Sequence, residues 1–298
     1  MNRSLLLERI RELTRPLSPR ATEHPQKLQR LAGIRCVAFD FYGTMFISAV
    51  GDIGIDEEQP ESAEYFADSL KNAGLNMLKE TAGPRGQTLF EESIDAHIAA
   101  AKKEGINYPE PDVRKLWLEV LQKLGEEKQI AGPVTEAVAR RFGIEFEFRI
   151  NAIWPVPHLE ATLHSLLDHG LQLGIISNAQ FYTPLAFEAF LGAAPEKFGF
   201  NPRLLIWSFK TGRKKPSLPF YREFSRAAKK EGLQPEEILY VGNDIRKDVQ
   251  PAKTLGMRTA LYVGDRRSLR HQTGELDTDD YRPDLIIDDL RQIEECLA

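Results

Sequence analysis

Four short polar segments of this chain carry side chains that could act together on a small molecule. They are Asp40-Phe41-Tyr42-Gly43-Thr44, Ser177-Asn178, Lys215-Pro216, and Gly242-Asn243-Asp244 with Asp248 shortly after. Between them they supply a carboxylate, a hydroxyl, an ammonium and an acidic pair. Carboxylates and an Asn amide are oxygen donors of the kind that suits a hard divalent cation. Each segment also admits a plainer use. An Asp can cap the turn that follows it, Ser-Asn is ordinary helix-capping chemistry, and Lys210, Arg213 and Lys214 beside Lys215 read as a solvated basic loop.

The elements around these segments decide between the two uses. Asp40 follows the apolar run Cys36-Val37-Ala38-Phe39, Ser177 follows Leu171 to Ile176, Lys215 lies downstream of Arg203 to Trp207, and Gly242 follows Ile238 to Val241. Continuous apolar runs, as opposed to alternating ones, suggest strands buried on both faces, as in a parallel sheet covered by helices. Further runs at Thr259 to Val263 and Asp284 to Ile287, with helical segments such as His158 to Asp168 and Phe220 to Lys230, indicate βαβ units with right-handed crossovers. In an open parallel sheet reactive groups gather at the carboxyl ends of the strands. The four segments therefore converge on one crevice, although 137 residues separate Asp40 from Ser177.

That separation is filled by helices. Glu61 to Leu75, Gln87 to Lys103, Asp112 to Leu124 and Thr135 to Phe146 show apolar residues at helical spacing, punctuated by Pro84, Pro109, Pro111 and Pro133. The expected fold class is α/β: a Rossmann-like parallel sheet formed by residues 34–47 plus 154–298, with a helical insert at 48–153. Residues 1–33 read as an N-terminal extension. A short helical pattern from Leu5 to Leu13 is followed by Pro16, Pro19 and Pro25, which favour an extended arm across the surface. Residues 265–283 read as a charged, solvated surface loop.

Composition bounds the function. The 298 residues carry 39 Lys plus Arg against 44 Asp plus Glu, a formal net charge of −5. This mild acidity argues against nucleic acid, whose partners show a clustered basic excess. Apolar residues make up 42%, and no apolar run approaches the roughly 20 residues of a spanning helix. A soluble cytoplasmic protein acting on a small molecule, away from membranes, is the expectation. Cys36 and Cys296 lack metal-type spacing and are expected as reduced thiols. His97, His158, His164 and His169 are not spaced as a metal set, and Trp117 with Phe90 is expected as core of the insert.

The four ordered motifs, each at a strand end, resemble those of the haloacid dehalogenase superfamily of hydrolases, and the insert resembles the cap many members carry after the first strand. The resemblance implies that Asp40 is a nucleophile forming a covalent aspartyl intermediate. It further implies that Thr44 bonds the Asp40 carboxylate or a bound anion, that Ser177 with neighbouring N–H groups holds a substrate oxygen, and that Lys215 neutralises charge. Tyr42, Gly43 and Asn178 would lie against substrate. Mg²⁺ would be held by Asp40, the Tyr42 carbonyl and some combination of Asn243, Asp244 and Asp248; Asn243 stands where the family commonly has Asp. Charge points the same way. Asp40, Asp244 and Asp248 outnumber Lys215, and one like-charge pair at about 4 Å costs about 4 kcal/mol at an effective dielectric of about 20.

Tyr42 divides the substrate classes. Phosphatases of the superfamily carry an Asp there as a proton shuttle, whereas a phenol with a pKa of about 10 is a poor one at neutral pH. The family's 2-haloacid dehalogenases have Asp-x-Tyr-Gly-Thr, and Tyr221 falls where they have a Tyr, but they lack the acidic last motif. The leading expectation is Mg²⁺-assisted hydrolysis of a phosphorylated small molecule, best one with an activated leaving group such as an acyl phosphate. Metal-independent halide release from a 2-haloacid is the alternative, and a catalytically weak phosphate-binding protein is a third. Arg85, in the segment Thr81 to Gly86, is a candidate contact to an anionic substrate. Oligomeric state is not legible.

Overall fold

The structure, a computed structural model, describes residues 3–50, 62–269 and 282–297. Along the chain, helix α1 (Arg3–Leu13) precedes strand β1 (Cys36–Phe39) and the short strand β2 (Phe46–Ser48). Helices α2 (Ser62–Ala73), α3 (Ala82–Lys103), α4 (Val113–Glu126) and α5 (Glu136–Ile150) follow, with short strands β3 (Asn76–Met77) and β4 (Ile130–Ala131) among them. After β5 (Ile153–Pro155), strands and helices alternate: α6 (Leu159–Asp168), β6 (Gln172–Ser177), α7 (Thr183–Leu191), α8 (Pro195–Phe198), β7 (Phe200–Trp207), α9 (Ser208–Thr211) and α10 (Leu218–Lys230). The remainder is β8 (Ile238–Gly242), a π-helical turn at Ile245–Val249, α11 (Gln250–Thr254), β9 (Arg258–Tyr262), β10 (Leu285–Ile287) and α12 (Gln292–Cys296).

The central sheet is parallel, with strand order β10-β9-β8-β1-β6-β7. All four residues of β1 are apolar and buried, because a central strand covered on both faces has no solvent side for a polar residue. β1 pairs with β6 on one side and β8 on the other, Phe39 lying level with both Ile175 and Val241. Its successors therefore emerge between the ends of β6 and β8, which is where the order of connections reverses and where such sheets hold ligands.

β2 and β5 form a two-stranded antiparallel ribbon with Ile47 opposite Trp154, and Ser48 Oγ donates to Asn151 Oδ1 at 2.8 Å. The ribbon brings the chain together at the two places where α2 to α5 leave and return. Those helices pack around an aromatic cluster. Phe66 meets Phe142 edge-on at 4.8 Å between centroids, and Phe90 stacks on Trp117 at 3.8 Å. Phe66 also presses on Gly86, where a Cβ would lie 2.1 Å from its ring. That contact explains a glycine early in α3, and Pro84 is tolerated there because the first-turn N–H groups have no intrahelical partner.

Helix α1 buries Leu6, Leu7 and Ile10 and packs against both α5 and α7. Arg9 forks onto the fully buried Glu145 of α5 at 2.6 and 2.9 Å, and Arg11 Nε donates to Ala189 O in α7 at 2.6 Å. The chain beyond α1 is extended, as Pro16, Pro19 and Pro25 suggested, and is tied down by backbone bridges at Lys27 to Ile286 and Leu31 to Leu297. The expected solvated loop at 265–283 is corrected at its beginning. Asp265 and Ser268 are buried, Asp265 Oδ1 accepts from Arg20 N at 3.1 Å, and residues 270–281 lie outside the described residues. Both cysteines are buried free thiols, and burial pushes Cys36 up to about 12. Among the described residues no helix is long and apolar enough to cross a membrane.

Candidate active site

Asp40 leaves β1 with its N–H donating to Val241 O at 2.9 Å, so its turn is pinned to the neighbouring strand. The turn is tight at Gly43, whose φ of +80° favours glycine. A Cβ there would lie 2.6 Å from Ser268 Cβ and 2.7 Å from Asn243 Nδ2. The loop after β9 thus closes on the turn after β1, and Asn243 holds it. Its Nδ2 donates to Ser268 O, and its Oδ1 accepts from Thr44 Oγ1 at 3.2 Å. Thr44, expected on the Asp40 carboxylate or a bound anion, donates to Asn243 here.

Lys215 reaches in from the far side. Its N–H donates to Asn178 Oδ1 at 2.7 Å, which gives Asn178, expected against substrate, a positioning contact. The Lys215 ammonium, 4% exposed, lies 2.6 Å from Asp40 Oδ1 and 2.6 Å from Asp248 Oδ1. The other oxygen of Asp248 accepts from the backbone N–H groups of Asn243 at 3.1 Å and Asp244 at 3.0 Å. The Tyr240 hydroxyl, 2.7 Å from Ile176 O and 3.1 Å from Asp248 Oδ1, shares its single proton between them. Ser177 is buried beside this group, its Oγ donating to Asn178 O at 3.1 Å.

Electrostatics follow from burial. Desolvation pushes Asp40 up to about 6 against the pull of Lys215, with the charge on Asp248 adding to the rise. Desolvation also works against the charge of Lys215, yet Asp248 and Asp40 together hold its pKa above the ordinary value. Asp244 is raised by burial and then by Asp248, while the Lys247 N–H opposes. Its Oδ1 accepts from the N–H groups of Arg246 and Lys247, each at 2.8 Å. Asp40 is buried and Asp244 half-buried, and in both desolvation is the first reason that ionisation is disfavoured.

The donor set fits Mg²⁺ in a reduced form. Among the described residues no group of three or more His, Cys, Asp and Glu gathers around one point. Asp248 is engaged by Lys215 and two N–H groups, and the Asn243 amide by Thr44 and Ser268, so neither presents a side chain to a cation. Of the expected ligands, Asp40, Asp244 and the Tyr42 carbonyl remain, oxygen donors that include two carboxylates. Mg²⁺ is content with one or two carboxylates when waters complete its octahedron.

The other expected residues go elsewhere. The Tyr42 hydroxyl bonds Thr183 Oγ1 at 2.9 Å, and burial together with the nearby Glu147 raises its pKa well above the ordinary value. Tyr221 is buried and donates to Lys247 O at 2.6 Å. Arg85 is not in a linking loop but in the first turns of α3, forked onto Glu127 at 2.7 and 2.9 Å. His97, His164 and His169 face Glu119, Glu160 and Glu294 at exposed positions. Two contributors escaped the sequence reading. Tyr240 was detectable in principle, since a tyrosine inside a fully buried strand needs a partner for its hydroxyl. Ser268, with a buried Oγ that has no hydrogen-bond partner among the described residues, carried no local signal.

A family model described as haloacid dehalogenase-like hydrolase matches residues 34–256. The chain is 32% identical over 229 residues to the glyceraldehyde 3-phosphate phosphatase of Methanocaldococcus jannaschii, spanning 76% of this chain and 83% of that one. It is 26% identical over 255 residues to the phosphoserine phosphatase of Thermus thermophilus, spanning 80% of this chain and 92% of that one. Among solved structures, a 2-haloacid dehalogenase from Pseudomonas syringae aligns with a TM-score of 0.50 at 22% identity, covering 88% of this chain and 97% of that one. At that identity the likeness speaks for the fold alone.

Proposed function

On the premise that this chain belongs to the haloacid dehalogenase-like hydrolase family, we propose that it is a Mg²⁺-assisted phosphatase acting on a phosphorylated small molecule through Asp40. The observation that carries the reading is the buried Asp40–Lys215–Asp248 cluster at the end of β1, with both ammonium contacts at 2.6 Å. Phosphatase activity of the relatives supports the same class.

An Asp40 carboxylate oxygen attacks phosphorus, forming an O–P bond as the bond to the leaving oxygen breaks and its electron pair departs with that oxygen. Water then attacks the aspartyl phosphate, the O–P bond to Asp40 breaks, and inorganic phosphate leaves with a proton released to solvent. Lys215 offsets the charge on Asp40 and on the phosphoryl oxygens in a site where an ammonium acts at low dielectric. Asp248 and Asn178 hold Lys215 in place. Asp40, Asp244 and the Tyr42 carbonyl would hold Mg²⁺, which would supply positive charge to the phosphoryl group. Because the Tyr42 phenol is tied to Thr183, no side chain of this turn protonates the leaving group, and leaving groups that depart as weak bases are favoured. Tyr221, which falls where the family's dehalogenases have a Tyr, donates its hydroxyl to the Lys247 carbonyl.

Phosphate release measured over acyl and aryl phosphates tests this. Turnover is expected to fall at least about 10³-fold in Asp40→Asn and to vanish with EDTA, since positive charge placed against the transferring group supplies much of the rate enhancement in such a site. Halide release from 2-haloacids that is insensitive to EDTA would overturn the reading.

A further inference from the structure

A cavity of about 260 Å³ lies between the helical insert and the loops that carry the site. Its walls are apolar and include Trp117, Phe90 and Leu116 from α3 and α4. Trp117 and Phe90, expected as core, are therefore core and cavity wall at once. Its polar lining includes Glu110, Glu147 and Lys214, two carboxylates against one ammonium. Gln180 fixes the acidic end by donating from Nε2 to Glu110 Oε1 and to Pro111 O, each at 2.9 Å, and Tyr182 donates to Glu147 Oε2 at 2.7 Å.

The cavity adjoins the reacting centre along the chain on two sides. Lys214 immediately precedes Lys215, and Gln180 and Tyr182 follow shortly after Ser177. Tyr42, two residues beyond Asp40, bonds Thr183, next to the cavity residue Tyr182, through its hydroxyl.

We propose that this cavity receives the leaving group of the substrate, and that the group is an apolar body about the size of one ring ending in a hydrogen-bond donor, an amine or a hydroxyl, and not in a carboxylate. The assignment rests on the phosphatase reading for its link to turnover, but its binding preference can be measured apart from it. Size sets the body: a cavity of about 150 Å³ lined by apolar side chains already accepts benzene, so this one takes a substituted ring, far more than a two- or three-carbon acid fills. Charge sets the end. A carboxylate placed beside Glu110 and Glu147 meets like charge that the single Lys214 does not balance, whereas an ammonium or hydroxyl donates to acceptors already in place.

Calorimetric titration of the full chain with phenethylamine and with 3-phenylpropanoate reads the preference without any chemistry. The amine is expected to bind at least about tenfold more tightly, with the ratio falling at least about fivefold in Glu147→Gln and likewise in Glu110→Gln; Ile98→Trp, which narrows a half-buried part of the wall, weakens both ligands. Equal affinity, tighter binding of the acid, or a ratio unchanged in both Glu variants overturns the assignment. Turnover of 4-(2-aminoethyl)phenyl phosphate is then expected to exceed that of 3-(4-phosphonooxyphenyl)propanoate in kcat/KM by a similar factor. Acetyl phosphate, which has no ring to place, separates the two readings. If neither it nor any aryl phosphate is hydrolysed while the amine preference holds, the phosphatase reading fails and the cavity assignment stands as a binding site. If acetyl phosphate is hydrolysed and the aryl pair is not distinguished, the cavity assignment fails alone.

Discussion

Replacing Asp248 by Asn tests whether the acidic residue of the last motif acts as a holder of charge and backbone. The two Asp248 oxygens accept from Lys215 Nζ at 2.6 Å on one side and from two backbone N–H groups at 3.1 and 3.0 Å on the other. An amide has one acceptor oxygen and one donor group, so either orientation leaves donors facing donors. With its oxygen toward Lys215, the NH₂ faces the N–H groups of Asn243 and Asp244; reversed, it faces a buried ammonium. Each orphaned buried donor costs about 1–3 kcal/mol, and relief of the repulsion between Asp248 and Asp40 offsets part of it, so a net loss of about 3 kcal/mol is expected. At about 2–4 °C per kcal/mol for a chain of this size, the unfolding midpoint should fall by about 6–12 °C. Lys215 loses one of its two carboxylates, and a displacement of about 1 Å at the ammonium lowers kcat about 10²-fold. Thermal unfolding by circular dichroism and phosphate release at saturating acetyl phosphate measure the two effects. A variant that unfolds within about 2 °C of the parent, or retains more than half of kcat, refutes this account of Asp248.

Gly43→Ala should lower kcat about 10²-fold with little change in far-ultraviolet signal, because a methyl at φ +80° would press on Ser268 and Asn243 and move the turn that carries Asp40; unchanged phosphate release would count against the closing role of the β9 loop. Glu145→Gln should destabilise the chain by unpairing Arg9 and Arg149. Burial raises the Glu145 carboxyl, but the bonds from Arg9 and Arg149 outweigh it and hold its pKa below the ordinary value. The stabilisation is therefore fully present above the unfolded pKa of about 4.3 and is lost as pH falls through the lower folded value. The difference in unfolding midpoint between parent and variant should be constant from about pH 6 to 8 and close toward pH 3, and a gap that instead widens on acidification would show that the ion pairs are not its source.

The parts of the fold legible in the sequence are those whose signal is local. β1 could be read because four consecutive apolar residues are buried on both faces, whereas its position between β6 and β8 is set by strand pairing that the order along the chain does not give. The ribbon of β2 and β5 escaped because three residues are too few to show alternation. Arg85 was misplaced for another reason. Gly83, Pro84 and Gly86 read as a flexible link, but Gly86 is required by Phe66, a residue of the preceding helix, and only packing reveals that a helix has begun. Asp265 read as solvated because its neighbours are charged, but besides pairing with Arg267 it accepts from the backbone N–H of Arg20, 245 positions earlier, which buries it.

The candidate site divides along the same line. Asp40 and Ser177 could be placed because they stand at strand ends, and Lys215 and Asp248 because they follow strands within a few residues, whereas the partners of their side chains depend on contacts between distant segments. Tyr42 shows what that changes. As a sequence position it set a proton shuttle against a dehalogenase turn, a choice about one residue. In the fold its hydroxyl bonds Thr183, beside the residues that line the cavity, so Tyr42 touches the wall between the proposed phosphoryl site and the proposed leaving-group site only through that bond. A site without a shuttle selects for leaving groups that depart unaided, and a cavity lined by Trp117, Phe90 and two carboxylates selects among those by shape and by the charge at the far end. Reactivity and recognition are then set at opposite ends of one molecule.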